Sequence, residues 1–348
     1  MADGLNDLQY DAILIVGFGG PEKPDDVVPF LENVLRGKNV SRERMLEVAR
    51  HYEHFQGKSP INDQMRELMT LLGGELAAHG IDLPIYWGNR NWHPLLSDTV
   101  REMARAGVRR AVCYVASAYS SYSGCRQYLE DIERARAAAG PGAPRIDKLR
   151  VFFNHPLFIA ANADRLAAAM ESLSPEQRSA AHVAFTAHSI PRSQARSCRY
   201  EEQLQETCRL TAKAAGLDAR QWQLVYQSRS GRPDDPWLEP DILDFLREAA
   251  ARGIRDIVVM PIGFLSDHME VLYDLDYEAG QTAGRLGINL VRAKTVGTHP
   301  LFVQMVRQLI AERISGNTQR PAIGSASAWP DECPSDCCPP RSPPAMCK

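Results

Sequence analysis

Eight short runs of nearly unbroken apolar, largely β-branched residues recur along the chain. They fall at 11–18 (DAILIVGF), 83–89, 109–117, 150–154 (RVFFN), 182–188 (HVAFTAH), 222–228, 256–264 (DIVVMPIGF) and 288–294. A run that is apolar on both of its faces must be covered on both, which is the pattern of parallel strands in an α/β sheet. Helical patterns such as PLLSDTVREMARAG and PDILDFLREAAARG lie between the runs. Alternation at this spacing predicts βαβ units and a parallel sheet. The halves also echo each other. YWGNRNW, a helix ending LLSDTVREMARAGVRR and the strand AVCYVASAYSSY are answered by YQSRSGR, DILDFLREAAARGIRD and IVVMPIGFLSDH. A duplication and the ordinary likeness of two βαβ units both account for this. The predicted fold is two doubly wound α/β domains facing each other, residues 1–150 and 151–315, divided after the Gly/Pro-rich AAAGPGAPR. From 316 to 348, Pro, Ser and Gly erase the periodicity and leave a tail.

Composition narrows the function classes. The formal net charge is -3, and Lys and Arg are interleaved with Asp and Glu, so no basic stripe offers itself to nucleic acid. The start, MADGLNDLQYD, lacks the basic and apolar regions of a signal peptide, and no apolar run reaches the ~18 residues of a membrane span. These features predict a cytoplasmic protein with no stable membrane insertion. In a reducing compartment its eight cysteines are metal ligands or buried thiols rather than disulfides.

Ligands in open α/β sheets bind beyond the carboxyl ends of strands. The turn GGPEKPDD after the first run matches neither GxGxxG nor GxxxxGK[ST], so it reads as a tight turn rather than a nucleotide site. His188 ends the run HVAFTAH. A histidine there is either a packed strand terminus or a group that accepts protons and binds divalent metals near neutral pH. In IGFLSDHMEVLYDLDYE, Ser266 or Asp267 can cap a helix on which Glu270, Asp274 and Glu278 recur at i, i+4 and i+8. Three acids on one stripe are a solvated face, or they repel until a cation answers them. Carboxylates without thiolates suit a cation that is held and then released, and His188 with Glu270 makes a mixed N/O site suited to ferrous iron. Tyr119, Tyr122 and Tyr128 either wall an aromatic pocket or cap a helix start, and Ser59 and Pro60 lie in a loop that could face the same cleft. Trp237 reads as a packing anchor.

The stretches GFGGPE, HFQGKSPIN, SAYSSYSGCRQY, FTAHSIP, YQSRSGRPDDPWLEPD and IGFLSDHMEVLYDLD together resemble ferrochelatases over nearly all of residues 10–315. Within that family the chain looks most like the actinobacterial-type coproporphyrin III enzymes. The resemblance implies two Rossmann-like domains around a porphyrin cleft and insertion of Fe2+ with release of two pyrrole protons. It implies His188 and Glu270 as the catalytic metal-site pair, with Asp274 and Glu278 as an acidic trail that feeds or stores iron. Ser59 and Tyr128 match porphyrin contacts. Phe18 stands where some relatives carry a tyrosine that ligates the product iron, which phenylalanine cannot do. Leu35 replaces an arginine of some relatives, while Arg36 is retained for the porphyrin. The charged stretch FLENVLRGKNVSRERMLEVARHYEH differs from the apolar lip of relatives that use protoporphyrin IX, and so favours coproporphyrin III with its four propionates. The expected partners are that porphyrin and Fe2+, with a monomeric enzyme and transient contacts to neighbouring haem-pathway enzymes. A protoporphyrin enzyme, a cobalt chelatase and a non-enzymatic haem or iron carrier are the competing readings.

The tail carries half of the cysteines, in DECPSDCCPPRSPPAMCK. In a subset of ferrochelatases one internal and three tail cysteines hold a [2Fe-2S] cluster. The resemblance assigns Cys125, Cys333, Cys337 and Cys338 to it, with Cys347 as an alternative, since adjacent Cys337 and Cys338 must splay to serve one cluster. Zinc on the same thiolates, haem on the Cys-Pro pairs and a free tail are the rivals. Cys113 reads as buried, and Cys198 and Cys208 as incidental.

Overall fold

A computed structural model of the protein describes residues 9–38, 40–230, 235–317 and 319–340. Among the described residues eight strands form two four-stranded sheets. β1 (Ala12–Gly17), β2 (Ile85–Asn89), β3 (Arg110–Val115) and β4 (Arg145–Lys148) assemble in the order β2-β1-β3-β4. β5 (His182–His188), β6 (Trp222–Gln227), β7 (Asp256–Met260) and β8 (Asn289–Arg292) repeat that order as β6-β5-β7-β8. Every pairing is parallel. The echo between the halves therefore extends to topology.

The central strands β1, β3, β5 and β7 are almost wholly apolar because helices cover both of their faces. On β5, Val183, Phe185 and Ala187 face one apolar cluster while Ala184 faces another. The first of these clusters runs through both halves. It joins Ile13 and Tyr114 beneath the first sheet to Phe185 and Met260 beneath the second, through Phe158 and Phe302. The helix Pro300–Ser315 carries Phe302, so the last helix returns to close the core.

RVFFN is not a strand. β4 is the more polar RIDK just before it, and Leu149 to Asn154 form buried irregular chain. An edge strand needs a partner on one side only, which the mixed RIDK satisfies. The apolar run is buried for a different reason: the tail crosses over it. Ile323 N donates to the Asn154 carbonyl (3.0 Å), and Arg150, fully buried, pairs with Glu312 through two bonds and donates to the Pro321 carbonyl (3.1 Å). Asp331 is gripped by Arg313 (3.1 Å) and Arg320 (2.5 Å). The described part of the tail is thus docked on the body, although its described residues form no helix or strand of their own.

Among the described residues no helix is long and apolar enough to cross a membrane.

Candidate active site

In each sheet the chain reverses its direction of travel between the two central strands, β1 and β3 or β5 and β7, and the carboxyl ends of strands at such a switch point are where ligands gather in open α/β sheets. The two switch points are joined: the Tyr119 hydroxyl beyond β3 donates to the Ile262 carbonyl beyond β7 (2.9 Å). Gly263 lets the chain beyond β7 pack closely on the end of β5, since a Cβ there would stand 2.6 Å from that of Ala187. His188 is the last residue of β5. After β7 the chain runs through His268, whose Nδ1 accepts from Glu270 N (3.2 Å) and so caps the turn Met269–Val271. The helix then widens to π geometry over Leu272–Ala279. A π segment inside a helix commonly marks a functional site.

His188 Nε2 lies 3.6 Å from Glu270 Oε1. The imidazole is oriented from behind. Its Nδ1 meets the Ser189 carbonyl, which can only accept, so Nδ1 holds a proton and Nε2 is the nitrogen turned to Glu270. The backbone here is fixed as well, with Tyr200 donating to the His188 carbonyl (3.0 Å) and Ser189 N to the Gln227 carbonyl (2.8 Å).

Burial disfavours the imidazolium, but the Glu270 carboxylate outweighs it and, with Ser189 and Asp274, holds His188 up at about 9. Burial likewise opposes the Glu270 charge, and His188, His268 and Lys38 overcome it and hold the carboxyl at about 2. At neutral pH the resting pair is an imidazolium and a carboxylate, so an incoming dication must displace a proton from His188. Asp274 differs. Burial pushes it up to about 7, reinforced by the charges of Glu270 and Glu278 and opposed by donors from Ser228 and Gln227. Glu278 is raised by burial and by Asp241. The acidic line therefore runs from a fixed charge at Glu270 to a group that changes charge near neutrality.

Sequence reasoning missed the residues that hold this line. The Gln227 amide donates to the Glu270 carbonyl (2.7 Å) and to Asp274 (3.3 Å), and the Ser228 hydroxyl donates to Asp274. Ser228 sits at φ 61°, a left-handed conformation rare for a non-glycine and typical of strained functional sites. Arg90, just past β2, stacks 3.6 Å over the Tyr128 ring and pairs with Asp131. The repeated "strand, then arginine-containing loop" was the signal for it.

The expected porphyrin contacts occupy contrasting places. Phe18 is an exposed ring with its edge toward Phe30 (6.2 Å), and Arg36 is exposed and donates to Asn33 (2.6 Å). Ser59 and Tyr128 are buried, the latter under Arg90. Tyr119, Tyr122 and Tyr128 do not wall one pocket. Tyr119 belongs to the core cluster on one face of the first sheet and Tyr128 to the cluster on the other, while Tyr122 bonds Glu130 (3.1 Å). Trp237 is buried, as a packing anchor should be.

The thiols gather where the tail crosses the domain. Cys125 lies buried in the π turn Tyr122–Arg126, and Cys338 is 2% exposed. The sulfurs of Cys337 and Cys338 are 3.5 Å apart, and Cys333 accepts from the Trp329 indole (3.3 Å). Burial pushes the Cys338 thiol up, as do Cys337, Cys125 and Cys198 around it. Cys198, set aside on sequence grounds, thus stands beside the tail thiols. Cys113 and Cys208 are fully buried in the core, and burial pushes Cys113 up to about 12. Cys347 lies outside the described residues. Among the described residues no three Cys, His, Asp or Glu side chains are grouped so as to hold a metal ion. The thiols of tail and body are neighbours, but they are not drawn together as ligands. A set of thiols and no carboxylates fits an iron–sulfur group in its chemistry.

The ferrochelatase family model matches residues 10–314. A protein named ferrochelatase from Rhodopirellula baltica is 55% identical over 340 residues, covering 96% of this chain and 95% of that one. A coproporphyrin III ferrochelatase from Streptomyces coelicolor is 50% identical over 364 residues, covering 99% and 97%. Among solved structures, the sirohydrochlorin chelatase SirB from Bacillus subtilis subspecies spizizenii, in complex with cobalt, superposes with a TM-score of 0.52. It covers 90% of this chain and 99% of that one at 13% identity, a likeness of fold alone. By both the family match and the identity to its relatives, the chain belongs to the ferrochelatase family.

Proposed function

We propose that this enzyme inserts Fe2+ into coproporphyrin III, forming coproheme and releasing two pyrrole protons. The observation that carries the reading is the His188–Glu270 pair at the switch point of the second sheet. The identity to a coproporphyrin III ferrochelatase along almost the whole chain supports the choice of porphyrin. A planar porphyrin hides its nitrogens, so the ring must be held bent while metal arrives and protons leave. Glu270, ionised at all working pH, sheds the iron's water. His188 surrenders its proton to solvent past Asp274 as the dication arrives, and its freed Nε2 then accepts the two pyrrole protons one after the other and passes each on the same way. Asp274 and Glu278 hold iron short of the ring or carry protons away. A pure carrier has no use for a proton acceptor beside its metal.

Phe18, Arg36, Ser59 and Tyr128 line or support the porphyrin, the first two by contact and the buried pair from beneath. The chain divides near residue 150 and works as a cytoplasmic monomer. Cys125, Cys333, Cys337 and Cys338, or Cys347 in place of one of them, hold a [2Fe-2S] cluster where tail and body meet. That cluster would add four metal–thiolate links to a tail already fastened by hydrogen bonds and ion pairs.

The test is anaerobic turnover with Fe2+ and either coproporphyrin III or protoporphyrin IX. Strong preference for coproporphyrin III is expected, and equal or better use of protoporphyrin IX would overturn the substrate assignment. His188→Ala should abolish turnover while porphyrin binding, followed by fluorescence quenching, stays largely intact. Near-normal turnover in that variant would remove His188 from the chemistry.

A further inference from the structure

Trp329 is held from two directions. Its ring packs edge-on against Phe153, with centroids 6.4 Å apart, at the border of the main core. On its N-terminal side the Asn154 amide binds the Ala326 carbonyl (2.8 Å), and on its C-terminal side Asp331 is locked between Arg313 and Arg320. The indole therefore has little freedom to swing, and its N–H is aimed at Cys333 Sγ, 3.3 Å away. None of these contacts involves a metal. The same preparation shows at Cys338. Its left-handed backbone, φ 53°, turns the chain so that two adjacent thiols, which extended chain would splay apart, meet at 3.5 Å. Such a conformation in a non-glycine costs of order 1 kcal/mol and persists where surrounding structure imposes it.

We propose that Trp329 is the positioning residue of the thiol site: its indole N–H holds the Cys333 sulfur in place and withdraws electron density from it once it is a metal-bound thiolate. This rests on the iron–sulfur reading above. A hydrogen bond to an ionised sulfur is stronger than one to a thiol, so the contact tightens when Cys333 becomes a ligand. Donors to ligating sulfurs are among the levers that set the potential of such a group.

Trp329→Phe keeps the ring against Phe153 and removes the donor. Two measurements follow. In full-length protein reconstituted anaerobically with iron and sulfide, a redox titration should give a lower midpoint potential for the variant than for the wild type. In metal-free protein at pH 8, iodoacetamide should alkylate Cys333 more slowly in the variant, because loss of the donor disfavours the thiolate; peptide mass spectrometry reads the site. An unchanged midpoint with an unchanged alkylation rate would overturn the proposal. So would faster alkylation, which would mean that the ring shields Cys333 and that its donor is irrelevant. Trp329→Ala, which loses ring and donor together, calibrates that second case through tryptic cleavage after Arg320. If the wild type takes up no cluster, the iron–sulfur reading falls and the tuning role falls with it. The alkylation rates would still decide whether the indole holds the sulfur.

Discussion

Replacing Glu270 by Gln keeps the side chain's size and removes its charge. In the wild type the carboxylate is what lifts His188 from its ordinary 6.5 to about 9 against the burial that lowers it. A rise of that size corresponds to roughly 3 kcal/mol at about 1.36 kcal/mol per pH unit. The pair is not sealed from water, however, since 33% of the His188 side chain and 45% of the Glu270 side chain are exposed. Solvent screening cuts the interaction, and about 1 kcal/mol is the part expected to survive. In Glu270→Gln that support is lost while Ser189 and Asp274 keep theirs, and His188 should titrate lower than in the wild type by about 0.7 pH unit. The assay is a histidine C–H NMR titration, with the resonance assigned by its loss in His188→Ala. The consequence for chemistry is a separation of two roles. The variant has a His188 that gives up its proton more readily, yet lacks the anion proposed to receive iron, so it should bind porphyrin and fail to metallate it. A His188 titration that stays within about 0.3 pH units of the wild type would refute the electrostatic coupling of the pair.

Divalent-metal affinity, measured by calorimetry with Zn2+, should rise with pH between about 6.5 and 9, by up to about tenfold per unit for one displaced proton, and then level off. The sign follows because the group holding the proton is His188, protonated below about 9. A flat profile would mean that the imidazolium is not displaced. Ser228→Ala removes a donor that favours the Asp274 carboxylate, so the Asp274 titration should move above about 7, by roughly one unit, and the pH dependence of turnover should move up with it. Arg150→Met leaves Glu312 buried with less compensation, Arg320 remaining 3.6 Å away, and should cost about 3 kcal/mol in a denaturant titration. Loss of less than about 1 kcal/mol would show that Arg320 replaces it fully.

What the sequence disclosed depended on whether a feature was tied to a strand end. His188 and Glu270 could be paired as candidates because one ends an apolar run and the other follows one, and a topological rule says that ligands gather beyond such runs. The rule needs no knowledge of contacts. RVFFN was misread because an apolar run records burial and not its cause, and here the cover is a tail some 170 residues later in the chain. The π turn was invisible because acids spaced by four fall on one side of an α-helix and of a slightly wider one alike. The docking of the tail was invisible for a different reason. Beside the Asp331 side chain, its anchors are the carbonyls of Pro321 and Ala326 and the backbone N–H of Ile323, groups that carry no residue-type signal. Pro- and Ser-rich composition shows only that such a segment cannot build its own core. It carries no information about whether a body elsewhere in the chain offers buried donors to it. Arg150 and Asn154 do offer them, and so a stretch without periodicity can still be held in one place. Cys198 falls under the same limit: a thiol in a charged helical stretch acquires meaning only when another segment brings further thiols to it.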